Sequence, residues 1–462
     1  MRTTYSIIGL GKLGASMAAA IASRGFHVIG VDVSERTVEA LNSGRGPVQE
    51  TGLDELVDRN RERLRGTTSH RDAVLNSDIS FVIVPTPSDN RGAFSLQYAT
   101  FAFRELGKAL REKRDYHLIV LTSTVLPGAT RFGLLPVLER ESGKKCGPDF
   151  GLCYSPEFIA LGSVIRDFLS PDFNLIGEFD ERSGAFLEAC YAQVMLNNAP
   201  ARRMSIENAE LTKIAVNTYV TTKVTFANML ADICEHLPGG DVDVVTAALG
   251  SDSRIGRKYL TGALGYGGPC FPRDNLALGF LARSIGTSAE IAEATNHCNC
   301  VRVDKVLQRL HSLLRPGSNV AVLGLAYKPD SHVIEESQGI ILAKALSRNG
   351  ARVVGYDPLA NAFARAELRD HAVILDSLHE CLRQCEVVLI TTPDAQFRKL
   401  KAEDFTAASL VTVVDFWRVL ADELRGKPNI CYIGAGQSSN DEENCRRLSN
   451  MWGAAAAAGG KE

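Results

Sequence analysis

Tyr5-Ser6-Ile7-Ile8-Gly9-Leu10-Gly11-Lys12-Leu13-Gly14 decides how this chain folds. The stretch opens on a short apolar run that reads as a buried strand, crosses three glycines in GxGxxG spacing, and passes into an alanine-rich helix ending near Arg24. A strand before the glycines and a helix after them mark a dinucleotide-binding turn, where the glycines alone would say little. The pyrophosphate of such a ligand lies against bare backbone at a helix N-terminus, where free amides and the dipole favour an anion. Phe26 to Val31 reads as a second strand closed by Asp32, which stands where the fingerprint places the acid that binds both ribose hydroxyls of an adenosine. A carboxylate there repels a 2′-phosphate, so the expected cofactor is NAD and not NADP. Gly9, Gly11, Lys12, Leu13, Gly14 and Asp32 are its expected contacts; the competing reading is a glycine turn in a βαβ unit that binds no nucleotide.

Further strands continue the pattern. Asp78 to Val84 ends in Pro85-Thr86-Pro87, and His117 to Leu121 ends in Thr122-Ser123-Thr124. An open α/β sheet binds its ligand at the carboxyl ends of its strands, so Thr86 and Thr124 join the cofactor candidates. Ser155-Pro156-Glu157-Phe158-Ile159-Ala160 follows Phe150 to Tyr154 and puts Glu157 at another strand exit, as a site residue or simply a loop cap. Ile206 to Leu237 is helical and would span roughly 45 Å at 1.5 Å per residue. That length suits a helix that bridges the halves of the chain and buries a face in another subunit. Glu210, Lys213, Asn217 and Thr221 form a polar stripe along it, either solvated or lining a cleft. After Pro316-Gly317, the strand Val320 to Leu325 echoes the first; Arg352 to Asp357 repeats His27 to Asp32, and Glu386 to Pro393 repeats Ser80 to Pro87. This is a duplicated doubly wound half. The second copy has Ala326-Tyr327-Lys328-Pro329 in place of the glycine turn, so it should take a different anionic ligand, with Lys328 as the phosphate contact. The tail from Gly453 is low in complexity and is expected to be unstructured.

A second glycine-rich stretch, Gly265-Tyr266-Gly267-Gly268-Pro269-Cys270-Phe271-Pro272-Arg273-Asp274, carries one cysteine and a carboxylate four residues on. The glycines suggest a loop shaped around a ligand, and the two prolines argue against a helix or a central strand at the cysteine. Cys270 is either a nucleophile whose covalent intermediate is released by water that Asp274 holds, or a buried small hydrophobe. Composition limits the alternatives. The chain has 462 residues, net charge -3, and no apolar run long enough to span a membrane, so neither nucleic acid nor a membrane is an expected partner. Eleven cysteines without paired CxxC spacing suit a reducing, cytosolic compartment and no metal site.

Five stretches together resemble the UDP-glucose 6-dehydrogenase family of nucleotide-sugar dehydrogenases: Asp252-Ser253-Arg254-Ile255-Gly256, the Gly265 to Asp274 loop, Ala209 to Lys213 with Asn217, Pro156-Glu157-Phe158, and Gly324 to Pro329. The resemblance implies an α/β chain of two Rossmann-like doubly wound parallel-sheet domains joined by a central helical dimerisation region. The expected domains are 1–200 for NAD, 201–300 for dimerisation and the catalytic loop, and 301–450 for the nucleotide sugar, with 451–462 a disordered tail. It implies a four-electron oxidation of a sugar C6 alcohol to a carboxylate by a homodimer or higher homo-oligomer. Cys270 would form a thiohemiacetal and then a thioester. Lys213 and Asn217 would stabilise the oxyanion, Asp274 and Thr124 would orient water, and Glu157 would act as base. Phe158, Ile159, Lys213, Asn217, Tyr259, Leu260, Gly267, Lys328 and Arg418 would surround the substrate, with Arg254 reaching in from a neighbouring subunit.

Three positions depart from the family pattern. Leu161 stands where an acid is usual, Glu335 where an arginine faces the NAD phosphates, and Phe173 ends what is usually Pro-Asp-Arg. The closing arginine motif is also shifted, to Asp415-Phe416-Trp417-Arg418. UDP-glucose is the expected substrate. The same chemistry on GDP-mannose or a UDP-N-acetylhexosamine, a two-electron hydroxyacid dehydrogenase, and a non-catalytic nucleotide-sugar-binding homologue are the alternatives.

Overall fold

The computed structural model describes residues 3–89, 91–160 and 162–459; Leu161 lies outside the described residues. The chain folds as two compact units, one of residues up to Val216 with Phe280–Thr287, the other of Asn217–Gly279 with the residues from Ser288 onward.

The first unit is built on β1 (Tyr5–Ile8), β2 (Val28–Val31), β3 (Leu64–Thr67), β4 (Ile79–Val82), β5 (Leu118–Leu121), β6 (Gly151–Tyr154), β7 (Asn174–Glu178) and β8 (Ala201–Ser205). Their spatial order is β3-β2-β1-β4-β5-β6-β7-β8, parallel throughout except where β7 meets β6. Alternate residues of a strand point to opposite faces, and here both faces are covered. Tyr5, Ile7 and Phe81 pack with the Lys12–Ser23 helix, while Ile8 and Val82 pack with the Gln97–Glu112 helix. Ala15, Ala18, Ala19 and Ala22 of the first helix are wholly buried, and their small side chains let it lie close to the sheet. The first six strands have the order of dinucleotide-binding Rossmann domains, with the reversal between β1 and β4.

The second unit contains β9 (Asn319–Leu323), β10 (Arg352–Tyr356), β11 (Val373–Ile374), β12 (Val387–Ile390), β13 (Val411–Asp415) and β14 (Ile430–Gly434), ordered β11-β10-β9-β12-β13-β14 and all parallel. It is the same topology again. The duplication extends to single contacts that the sequence conceals. A Cβ on Gly9 would sit 2.1 Å from the Ile83 carbonyl oxygen, and one on Gly14 would sit 1.9 Å from that of Gly9. In the second copy a Cβ on Gly324 would meet Thr392 Oγ1 at 2.3 Å, and one on Gly339 would meet the Gly324 oxygen at 2.1 Å. Gly324 and Gly339 thus repeat Gly9 and Gly14, separated in sequence by the longer segment 325–338.

A helix of 29 residues, Ile206–Cys234, contributes its residues up to Val216 to the first unit and the rest to the second. At the end of the chain the Asp441–Gly459 helix runs through the stretch expected to be unstructured. Alanine is the strongest helix former, so composition that reads as low complexity also propagates a helix already begun. Among the described residues no helix is long and apolar enough to cross a membrane.

Candidate active site

The glycine turn of the first unit has the features a pyrophosphate needs. Gly9 and Gly14 are fixed by packing, but a Cβ on Gly11 would meet nothing within 4 Å, so its backbone faces open space. Gly11 is also the N-cap of the Lys12–Ser23 helix and makes no side-chain cap hydrogen bond. Asp32, half-buried at the end of β2, accepts the Leu10 amide on one carboxylate oxygen and the Ser34 amide on the other, both at 2.9 Å. Each oxygen keeps a lone pair for a ribose hydroxyl. The residues therefore fit NAD. Asp357, its counterpart in the second copy, is buried and accepts four amides, from Leu325, Ala326, Leu359 and Ala360. Removing it would leave four donors unpaired at about 1–3 kcal/mol each, so its role is structural and the second copy lacks a free ribose acid.

Adjacent strands of the first sheet bring Thr86, Thr124 and Glu157 to one edge. Thr86 Oγ1 donates to the Thr124 carbonyl at 2.7 Å, and the Ser155 amide extends the β5–β6 ladder by donating to Leu121 at 2.9 Å. Glu157 follows Pro156 out of that ladder. The residue is half-buried, yet its carboxyl group is desolvated, and burial pushes it up to about 7 while the Lys213 charge pulls the other way. Lys213 is buried, with Nζ donating to the Glu157 backbone oxygen at 2.6 Å and lying 4.5 Å from the centre of the Phe158 ring. Phe158 in turn packs on Phe173 at 4.9 Å between ring centres. That accounts for the Phe173 departure: an aromatic ring buttresses Phe158. Ile159 is half-buried beside it. Sequence reasoning missed the hydroxyls of this neighbourhood. Ser155 Oγ donates to the Leu175 carbonyl at 2.8 Å, so the buried Tyr191 hydroxyl is the donor in its 2.7 Å contact with Ser155.

The polar stripe on the long helix is not solvated. Glu210 is fully buried and accepts the Gly128 and Thr130 amides at 2.6 and 2.9 Å. Asn217 Nδ2 donates to Asp274 Oδ2 at 2.6 Å, and buried Thr221 exchanges hydrogen bonds with Asn275 at 3.0 and 3.2 Å. Asn275, which also donates to the Tyr266 hydroxyl at 2.9 Å, is a second anchor of the cysteine loop; its place directly after Asp274 was the only signal for it.

Cys270 is exposed and in no disulfide, which removes the reading of a buried hydrophobe; Cys146, Cys153, Cys190, Cys234, Cys381 and Cys385 are buried. Cys270 lies in the loop expected for it, at a bend that ends where the Phe271–Ser284 helix begins, and its carbonyl accepts the Asp274 amide at 2.9 Å. Pro272 falls in the first turn, where a missing N–H removes no intrahelical bond. Asp274 is fully buried and, besides Asn217, meets the Arg273 guanidinium at 3.2 Å. Each glycine of the loop is also required by a protein neighbour. A Cβ on Gly265 would sit 2.4 Å from Asn299 Oδ1, one on Gly267 2.1 Å from the Glu336 carbonyl oxygen, and one on Gly268 2.6 Å from the Tyr327 ring. These glycines fit the loop to the protein.

The remaining candidates divide. Tyr259 is exposed with a left-handed backbone, φ 65°, while the Leu260 side chain is buried in the core. Lys328 is half-buried with Nζ 5.8 Å from the Tyr327 ring centre, and Arg254 is exposed and paired with Asp252 at 2.6 Å. Arg418, expected at the substrate, is buried on protein partners: its guanidinium meets Asp243 at 2.7 and 3.0 Å and donates to the Phe416 and Ala435 carbonyls at 2.9 and 2.8 Å. Glu335 is exposed, and its carbonyl accepts the Gly268 amide at 3.0 Å. Backbone strain concentrates in the second unit, which holds all five non-glycine residues with positive φ among the described residues, Tyr259, Asp330, Glu336, Arg369 and Arg418.

Comparison with known proteins agrees with this arrangement. The models of the UDP-glucose/GDP-mannose dehydrogenase family match residues 3–195 as the NAD binding domain, 207–300 as the central domain and 321–422 as the UDP binding domain. The chain is 37% identical over 419 residues to UDP-glucose 6-dehydrogenase AglM of Haloferax volcanii, covering 90% of this chain and 96% of that one. It is 32% identical over 441 residues to GDP-mannose 6-dehydrogenase of Pseudomonas putida, covering 92% and 99%. Among solved structures, a UDP-glucose dehydrogenase from Pyrobaculum islandicum superposes with a TM-score of 0.85 at 34% identity, covering 95% of this chain and 98% of that one. With all three domain models matched in order, the chain belongs to the UDP-glucose/GDP-mannose dehydrogenase family of NAD-dependent nucleotide-sugar 6-dehydrogenases.

Proposed function

We propose that this enzyme oxidises the C6 alcohol of UDP-glucose to the carboxylate of UDP-glucuronate through a covalent intermediate on Cys270. The observation that carries the reading is an exposed thiol at the start of a helix, one turn before a buried carboxylate held by Asn217 and Arg273. A helix N-terminus favours negative charge, and Cys270 stands at one. The Gly9–Gly14 turn, Asp32 and Thr86 would hold NAD, which would accept one hydride in each oxidation, a fresh NAD replacing NADH between the two.

The alcohol first loses a hydride and a proton to become an aldehyde. The Cys270 sulfur then adds to the aldehyde carbon, and the resulting oxyanion is met by the Lys213 ammonium and by the second N–H of the Asn217 amide. Loss of a further hydride leaves a thioester on Cys270. Water, oriented by Asp274 and Thr124 and deprotonated by Glu157, attacks the thioester carbon; the thiolate departs and the acid is released. Water adds one oxygen and two hydrides leave, so the overall change is four electrons. Lys328, Tyr259, Gly267 and the backbone at Leu260 are assigned to the nucleotide, Phe158 and Ile159 to the sugar, and Arg254 to a neighbouring subunit. Arg418 we assign to holding the second unit together, since its donors already lie on Asp243 and two carbonyls.

UDP-glucose is preferred because the Cys270-Phe271-Pro272-Arg273-Asp274 order favours it and two relatives named for that activity share more than a third of their residues with this chain. GDP-mannose is the second reading, on the strength of the Pseudomonas putida relative. Incubation with NAD and a panel of UDP-glucose, GDP-mannose and UDP-N-acetylhexosamines should yield two NADH per UDP-glucose consumed. One NADH per sugar would indicate a simple alcohol dehydrogenase, and no turnover of any sugar a binding protein.

The same reading includes a homodimer. Tyr219, Phe226, Met229 and Ile233 are exposed on the long helix at spacings of seven, three and four, one apolar stripe of the kind a partner helix covers. Sedimentation at working concentration should give twice the mass of one chain; a pure monomer would reject the assignment.

A further inference from the structure

We propose that Glu210 is a positioning residue for the water that cleaves the thioester: it fixes the segment that carries Thr124, one helical turn before Lys213 fixes the strand exit that carries Glu157. The proposal rests on the reading above, in which Thr124 and Glu157 serve that water, and it gives a role to a member of the polar stripe that the reading leaves unused.

All of these contacts lie within the first unit. Thr124 leaves β5 on the segment Thr124-Val125-Leu126-Pro127-Gly128. The near end of the segment is tied to the exit of β4, where Thr86 Oγ1 donates to the Thr124 carbonyl at 2.7 Å, and Val125 is buried in the core. The far end is Gly128, with φ 91°, and a π-type turn, Ala129–Leu134, begins there. A helix start leaves amides unpaired, and a glycine has no side chain to cap them. Glu210 caps them from another element: one carboxylate oxygen accepts the Gly128 amide at 2.6 Å and the other the Thr130 amide at 2.9 Å. One turn earlier on the long helix Glu207 pairs with Arg131, so two carboxylates grip the start of this turn.

Capping alone does not call for this group. Glu210 is wholly buried, and burial raises its carboxyl above the ordinary value, with the Thr130 and Gly128 donors opposing the rise. A buried charge costs more than a neutral group of the same shape. What a carboxylate offers and a carboxamide does not is two acceptor oxygens side by side, which fix the orientation of the turn they hold. Lys213, three residues on, shares the helix face, and its Nζ donates to the Glu157 carbonyl at 2.6 Å. Between Glu210 and Lys213 the helix rises about 4.5 Å, at 1.5 Å per residue, along a rigid backbone. The exits of the neighbouring strands β5 and β6 are therefore set against a single helical turn, and with them the two groups that would share a water.

Glu210→Gln keeps the size and shape of the side chain but turns an NH2 group toward one of the two amides, which breaks that bond and shifts the segment. Mixed with NAD and UDP-glucose, this variant should release two NADH per site in a rapid phase and then turn over roughly 10- to 100-fold more slowly than wild type. Most of the Cys270 peptide should be recovered as the acyl form after an acid quench, with KM for the sugar nucleotide within about twofold of wild type. Glu207→Gln, which releases only the half-exposed Arg131, should keep the ratio of the slow to the rapid phase within about twofold of wild type. A purely structural role for Glu210 would lower both phases together as folded enzyme is lost; an unchanged ratio in Glu210→Gln overturns the proposal. Should that variant not fold, Gly128→Ala disturbs the contact from its other side, because the backbone there is left-handed and the new Cβ would lie 3.2 Å from Phe132 Cδ2. An unchanged ratio in Gly128→Ala overturns the proposal equally. The underlying reading is judged on the wild type: no acyl-Cys270 at any quench time brings down both, whereas acyl-Cys270 in the wild type beside an unchanged ratio in the variants removes Glu210 alone.

Discussion

Cys270→Ser should bind NAD and the sugar nucleotide as the wild type does and yet fail to deliver the acid. Serine is close in size, stands at an exposed position, and leaves Asp274, Asn217 and Arg273 undisturbed, so the fold has no reason to change. What it removes is the nucleophile. An alcohol at neutral pH is almost wholly protonated and a poor nucleophile, whereas sulfur is the stronger nucleophile of the two. The first oxidation needs only a hydride acceptor and a proton acceptor and should still occur. The second needs the aldehyde to become a tetrahedral adduct, and acid formation should fall by roughly 10³-fold or more, as when other covalent enzymes lose their nucleophile. Chemical capture of the bound aldehyde with a hydrazine reagent, followed by mass analysis, measures the stalled product. Full conversion to the acid by this variant would refute the assignment.

The second large effect is expected at Glu157. Desolvation lifts its carboxyl group to about 7 from an ordinary 4.5, with Lys213 opposing the rise. It acts as base only when ionised, so acid release in the wild type should increase as the pH passes through about 7. Glu157→Gln should lose that step by about 10²-fold or more and accumulate thioester, because the amide cannot take a proton from water. A stability effect of opposite sense accompanies it. Between the unfolded value of 4.5 and the folded value of about 7, the native chain holds a proton that the unfolded chain has released. Stability from this group is therefore present below that window and declines as pH rises through it. Glu157→Gln should lack the decline, which denaturant titrations at several pH values would read. A variant with normal turnover and no accumulated thioester would remove Glu157 from the hydrolysis.

Much of this architecture is legible in the chain because local signals and global topology agree. Ile7 and Ile8 feed opposite faces of one sheet, and Gly9, Gly11 and Gly14 divide three jobs that only glycine can do at that spacing. Asp32 and Asp357 stand at equivalent strand ends in both copies, so the repeat could be read; that one is half free and the other saturated by four amides could not. Other features were hidden for physical reasons. The glycines of the cysteine loop look alike in sequence whether they admit a ligand or the Glu336 carbonyl and the Tyr327 ring, because the neighbour that requires them lies some sixty positions away. Pro272 reads as a helix breaker in sequence, but proline is at home in a first turn, and the turn in question begins beside Cys270. Arg418 carries the charge expected of a nucleotide contact. Only the fold reveals that Asp243, on the Val242–Ser251 helix, already meets it.

The central claim is that one sulfur carries the sugar carbon between its two oxidations. Quenching the enzyme in acid during turnover of UDP-glucose with NAD, then measuring the mass of the peptide that contains Cys270, tests it most directly. The account predicts a fraction of that peptide heavier by the oxidised sugar nucleotide and joined through the thiol, absent when NAD is omitted. A Cys270 peptide that stays unmodified at every quench time while UDP-glucuronate accumulates would contradict it.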